Sequence, residues 1–230
     1  MRKPVVDYKA FRLKRINEPE YNHIWLLAGW IVYFIMYFIT ENLIPESRLH
    51  LIHCGLDDVI KFNEYFLILY CYWYVYLLGS LLYFFLYDIK SFKHLQTYII
   101  FTQLIAMLVY ILYPSIQNGR PDTFERDNVL TRLMAFIYAF DTPTGVFPSL
   151  HVAYSIAIAS VTCRAGSVSK TWKVLCVLSA VLISISTAFV KQHSVLDIAG
   201  ALLMCALIEC FIYTNIPLRP FVRLREYLNS

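Results

Sequence analysis

The chain has 230 residues, 59% of them hydrophobic, and a mean hydropathy of +0.55. A soluble domain holds roughly 45–50% apolar residues by a similar count, so that class is excluded. The formal net charge is +4; its basic residues are explained by membrane topology, and no nucleic-acid signature appears.

Residues 1–22 are too long and too charged to precede the apolar core of a signal peptide, so they read as a cytoplasmic N-terminal arm. In it Arg12, Lys14 and Arg15 serve as topology determinants or touch anionic headgroups. A helix crossing the hydrocarbon layer needs about 20 apolar residues. Six stretches qualify: 24–44, 65–87, 97–113, 146–163, 172–190 and 195–214. The expected fold class is all-α, an integral membrane bundle of six transmembrane helices over 23–215 followed by a cytoplasmic tail, 216–230. The six cysteines are scattered and carry no metal-ligand or disulfide spacing; they read as small buried hydrophobes.

The loop 114–144 opens with Tyr113-Pro114 and carries the turn signal Asn118-Gly119 before Arg120-Pro121. Val129, Leu130, Leu133, Met134, Phe136, Ile137 and Phe140 fit an amphipathic helix in this loop, between spans three and four. An apolar stripe beside a membrane favours a lid over disorder. Of the 20 Lys and Arg residues, 14 fall on the side of the termini and six on the other. The positive-inside rule then places both termini in the cytoplasm, with the 114–144 loop and Lys191-Gln192-His193 outside.

Ionisable groups at membrane depth are expensive and mark functional sites. His193 and Asp197 in Lys191-Gln192-His193-Ser194-Val195-Leu196-Asp197 are four apart, so on a helix they share a face. A carboxylate on one ring nitrogen fixes the tautomer and makes the other a better nucleophile or base. A satisfied interfacial histidine with a structural acid partner fits that spacing equally well. In Phe147-Pro148-Ser149-Leu150-His151, Pro148 suits a first helical position. The N–H groups after it suit phosphate, Ser149 adds a donor, and His151 lies one turn inside. Arg120 and Lys191 are candidate phosphate clamps, one a planar fork and one a point charge. Glu209 lies about 18 Å along a helix from Asp197, which suits a structural hydrogen bond rather than a place in the site.

Together these segments resemble the type 2 phosphatidic acid phosphatase superfamily of lipid phosphatases and phosphotransferases. Its signatures are K-x6-R-P, P-S-G-H and S-R-x5-H-x3-D. The second stands here as Pro148-Ser149-Leu150-His151, and the third runs from Ser186-Thr187 to His193 and Asp197 at full spacing. Tyr113, Leu150 and Thr187 replace the Lys, Gly and Arg of the three patterns. Lys191, four residues after Thr187, is expected on the same helical face as the substitute cation. The Leu150 form with Lys191-Gln192-His193 looks like the inositol phosphorylceramide synthase-like branch.

The resemblance implies a lipid-linked phosphate substrate and two-step phosphoryl transfer without a metal or cofactor. In it His193 attacks phosphorus, Asp197 orients His193, and His151 moves the proton. Arg120, Lys191 and Ser149 hold the phosphate. Hydrolysis and transfer to an alcohol use the same residues. A non-catalytic lipid-binding or transport protein is the competing class.

Overall fold

The computed structural model describes residues 3–214 and 219–229; the ends of the arm and tail at 1–2, 215–218 and 230 lie outside the described residues. The protein is mainly helical, and among the described residues five helices are long and apolar enough to cross a membrane. A 3-10 segment, Asn22–Leu27, leads into α1 (Ala28–Leu43), followed by β1 (His50–Leu51) and the short α2 (Gly55–Val59). Two long helices, α3 (Leu67–Tyr87) and α4 (Ile89–Leu112), follow. The strand β2 (Ser115–Ile116) pairs in parallel with β1, His50 opposite Ser115. The loop helix α5 (Val129–Phe140) then precedes α6 (Leu150–Arg164), α7 (Lys170–Phe189), α8 (Val195–Tyr213) and α9 (Arg219–Asn229).

Of the six expected spans, five appear as long helices among the described residues and the fourth as a shorter one. α6 has 15 residues, about 22 Å by helical rise, less than a hydrocarbon core of about 30 Å. The apolar run from 146 is not helical at its start: the N–H groups of Val146 and Phe147 bond Ser115 Oγ at 3.1 and 3.0 Å. Ser149 then caps the helix through Val152 N–H. α6 is central, lying against α3, α4, α7 and α8, and more than half of its residues are buried. α4 differs in the opposite sense, beginning eight residues before the apolar run at 97, because Asp88 caps it through Ser91 N–H at 3.0 Å. The ammonium of Lys93, within its second turn, reaches the Tyr227 carbonyl of α9 at 3.3 Å.

One end of the bundle collects the arm, the α3–α4 turn, the α6–α7 turn and α9. There Tyr8 donates to Phe85 O, Ser167 donates to Asp88, and Arg164 pairs with Glu209 at 2.7 Å. The other end, hereafter the histidine end, carries the β1–β2 pair, α5 and the turn between α7 and α8. Exposed leucines, valines and phenylalanines cover the outer faces of α1, α3, α7 and α8, as helices surrounded by lipid require. All six cysteines are free, but only Cys205 is buried; Cys163 and Cys210 are exposed, contrary to the expected burial.

Candidate functional site

His193 and Asp197 meet through a helix cap rather than a shared helical face. α7 stops at Phe189, and Gln192 and His193 both donate their N–H groups to Thr187 O, at 3.0 and 3.2 Å. Ser194 is the N-cap of α8, and Asp197 stands three residues into it, where a side chain reaches back to the cap. The Asp197 Oδ2 accepts Ser194 N–H at 2.9 Å and lies 3.2 Å from His193 Nδ1. Asp197 is fully buried and His193 nearly so.

Asp57, in α2, closes the same cap from outside. Its carboxylate accepts from Val195 N at 2.8 Å, Ser194 Oγ at 2.6 Å and Cys54 N at 2.8 Å. Burial pushes the Asp57 carboxyl up, but the bonds from Ser194, Val195 and Cys54 outweigh it and hold the group below its ordinary value. An aspartate 138 residues away thereby fixes the start of the helix that carries Asp197.

His151 is the second residue of α6. Its carbonyl accepts from Trp73 Nε1 at 3.1 Å, and its ring lies 4.8 Å from Tyr70 and 4.3 Å from Trp73 by centroid. The His193 ring stands 5.6 Å away, nearly edge-on. Ser149 N donates to Asp197 O at 3.2 Å, so the two helix starts are stitched together. The Nε2 of His151 and the Oδ1 of Asp197 are buried without a hydrogen-bond partner among the described residues. Each such group left unpaired costs about 1–3 kcal/mol.

Both rings border a cavity of about 920 Å³ that also touches Gln192, Asp141 and Thr142 at this end. α5 roofs it. Met134 is fully buried beside Leu67, Tyr70 and Val190, while Phe136 and Phe140 line the cavity mouth. Asp141 follows α5; burial raises its carboxyl above the ordinary range, against the lowering pull of Arg120 and His193.

The other sequence candidates are placed differently. Arg120 spends its fork on the carbonyls of Tyr138, Asp141 and Thr142 and on Gln192 Oε1, the last at 2.6 Å. It is a clasp between the end of α5 and the turn before α8, and burial lowers its pKa. Lys191 is not brought to the histidines. The helix has already ended, Lys191 takes a left-handed φ of 53°, and its ammonium bonds Asp57 O at 2.6 Å. The shared-face expectation from Thr187 therefore does not apply. Ser149 is fully buried, its hydroxyl accepting Val152 N–H at 3.4 Å. Glu209 is far from the site and pairs with Arg164 and Ser160, as its spacing suggested.

Sequence reasoning missed Asp57, Asp141 and Gln192. Asp141 lies past the amphipathic stripe that ends at Phe140, and Gln192 was named only as a neighbour of Lys191 and His193. No local signal marks Asp57, because its role exists only once α2 meets α8. No family model, curated protein or solved structure matches the chain.

Proposed function

We propose that the protein is a membrane lipid phosphatase that removes phosphate from a lipid-linked ester through a phosphohistidine on His193. The observation that carries this reading is a pair of imidazoles, one backed by a buried carboxylate, at the polar end of a large apolar cavity. Asp197 accepts the Nδ1 proton of His193, which leaves the Nε2 lone pair free to attack. The N–P bond forms as the P–O bond to the lipid alcohol breaks, and protonated His151 gives its proton to the leaving oxygen. Water then attacks phosphorus and gives a proton to His151 as the N–P bond breaks and inorganic phosphate leaves.

Positioning and charge stabilisation dominate such transfers. In this reading the N–H groups opening α6, fixed by the Ser149 cap, face the phosphate oxygens. Arg120 acts by holding Gln192 and the end of α5. Lys191 acts by steadying Asp57. α6 is the sixth crossing, shorter because protein rather than lipid surrounds it. The 14 basic residues on the side of the termini, against six opposite, put the termini in the cytoplasm and the histidine end outside.

Transfer to an alcohol acceptor is the second reading. It is favoured by a cavity of about 510 Å³ across the Lys191–Gln192 turn, lined by His53, Asp57, Glu64, Arg126 and Lys191. A polyol finds both donors and acceptors there. Rapid quenching into alkaline detergent, in which a phosphohistidine survives, with a lipid phosphate labelled at phosphorus tests the common step: wild type must carry label and His193→Ala must not. Product analysis with and without a polyol separates hydrolysis from transfer. Absence of label in wild type would leave a lipid-binding protein without chemistry.

A further inference from the structure

The cavity beside the histidines continues along the bundle. α1 and α3 each lie against α4 and scarcely touch one another, leaving a slot between them with Tyr154 of α6 and Phe92 of α4 beneath. Along α3 the slot is lined from Tyr70 through Leu77 and Leu81 to Phe85. Fifteen residues of helix rise separate the first from the last, about 22 Å. That exceeds the half of a hydrocarbon core about 30 Å thick that one leaflet supplies. Its charged and amide groups, Asp141, Gln192 and the two histidines, all stand at one end. The opposite end is shut by rings: Phe85 and Phe92 pack edge-on at 5.1 Å with His23 against both. Phe34, Leu78 and Leu82 are exposed along the slot, so it opens sideways.

We propose that this slot holds one extended hydrocarbon chain of the substrate and gauges its length, with Phe85 and Phe92 as the stop. The proposal rests on the phosphatase reading only for the identity of the headgroup. Three observations select this occupant. The slot is continuous with the imidazole pair, so a chain lying in it delivers its headgroup to His151 and His193. Its polarity runs one way, matching a molecule polar at one end. It opens sideways past Phe34, Leu78 and Leu82, so a chain can enter it from the side. Lipid tails gain no hydrophobic energy by leaving lipid for an apolar protein surface. Selection therefore comes from contact with the ring-lined walls, which grows with each methylene until the chain end reaches the stop.

The test uses octyl, dodecyl and octadecyl phosphate, each with a photoreactive diazirine at the chain end, irradiated with the full-length protein in lipid nanodiscs. Peptide mapping should place the octyl label near Tyr74–Leu77, the dodecyl label near Leu78–Leu81, and the octadecyl label near Phe85 or Phe92. Leu81→Trp, which fills the slot midway, should abolish octadecyl labelling beyond residue 81 and leave octyl labelling unchanged. Unlabelled octadecyl phosphate should compete better than distearoyl phosphatidic acid. Labelling independent of chain length, or spread over the outer face of α7, would overturn the proposal. So would equal or better competition by the two-chain lipid. Labelling needs no turnover, so a graded pattern without a trapped phosphoenzyme retains the gauge and removes the phosphatase reading. An ungraded pattern with a trapped phosphoenzyme does the reverse.

Discussion

His193 and Asp197 are joined by the cap of α8, and His151 is held between Tyr70 and Trp73 at the start of α6. His193→Ala should eliminate both turnover and phosphoenzyme, while His151→Ala should lower turnover by about 10²–10⁴, the range of general acid–base catalysis. Steady-state rates on a lipid phosphate check both. Lys191→Met should leave KM near wild type and lower Tm, because its ammonium serves Asp57 O rather than the cavity. A large rise in KM would restore Lys191 as a phosphate clamp. Asp141 carries a pH signature. Its folded pKa is raised by burial, so its contribution to stability is complete below the unfolded value, about 3.9, and is lost as pH rises through the folded one. Asp141→Asn should therefore raise Tm relative to wild type at neutral pH, with the difference fading in acid. The His193–Asp197 contact was legible in sequence because only three residues separate the two, whereas His151, far off in sequence, was placed beside them only by the resemblance. Asp141 was not, because its meaning depends on Arg120 and His193 being folded around it.

At the scale of elements, caps decide where helices begin, and therefore where the site lies. The apolar run at 146–163 looked like a full span, yet Ser115 takes the N–H groups of its first residues and Ser149 starts the helix. Hydropathy reports apolar content and not which N–H is already bonded, so α6 was legible as an element but not in length. α5 was legible nearly to the residue, since its stripe is amphipathic; the structure adds the Asn128 cap that starts it. The cap of α8 can be tested from a distance. Asp57→Ala should cost about 0.5–2 kcal/mol, the range for loss of a helix-capping side chain, seen as a lower Tm in detergent. The Asp57 pKa is depressed in the folded protein. Its contribution is therefore present above the ordinary carboxylate value and lost as pH falls through the folded one, so the two proteins should converge in acid. α8 also approaches the Phe147 ring closely at Gly200, where a Cβ would lie 2.5 Å from Phe147 Cε2. Gly200→Ala should displace that ring, just ahead of the α6 cap, and cost about 1–3 kcal/mol by overpacking. Thermal unfolding measures it.

Over the whole molecule, the bundle segregates its labour by end. The arm and α9 gather opposite the histidines, and the loops that build the site gather around them. That division was readable from the distribution of basic residues, whereas the slot between α1 and α3 was not. Both helices are apolar on nearly every face, and no periodicity shows which faces stand apart. The tether from Asp57 to Val195 spans 138 residues, and it sets a clock on biogenesis. At a synthesis rate of about 5–20 residues per second, roughly 7–28 s separate the two ends of that contact on the ribosome. A nascent chain with four or five helices already inserted still lacks the cap that holds His193 against Asp197. The His193–Asp197 contact thus arrives in one late step, and a chain interrupted before α8 stands in the membrane with its two helix starts unstitched.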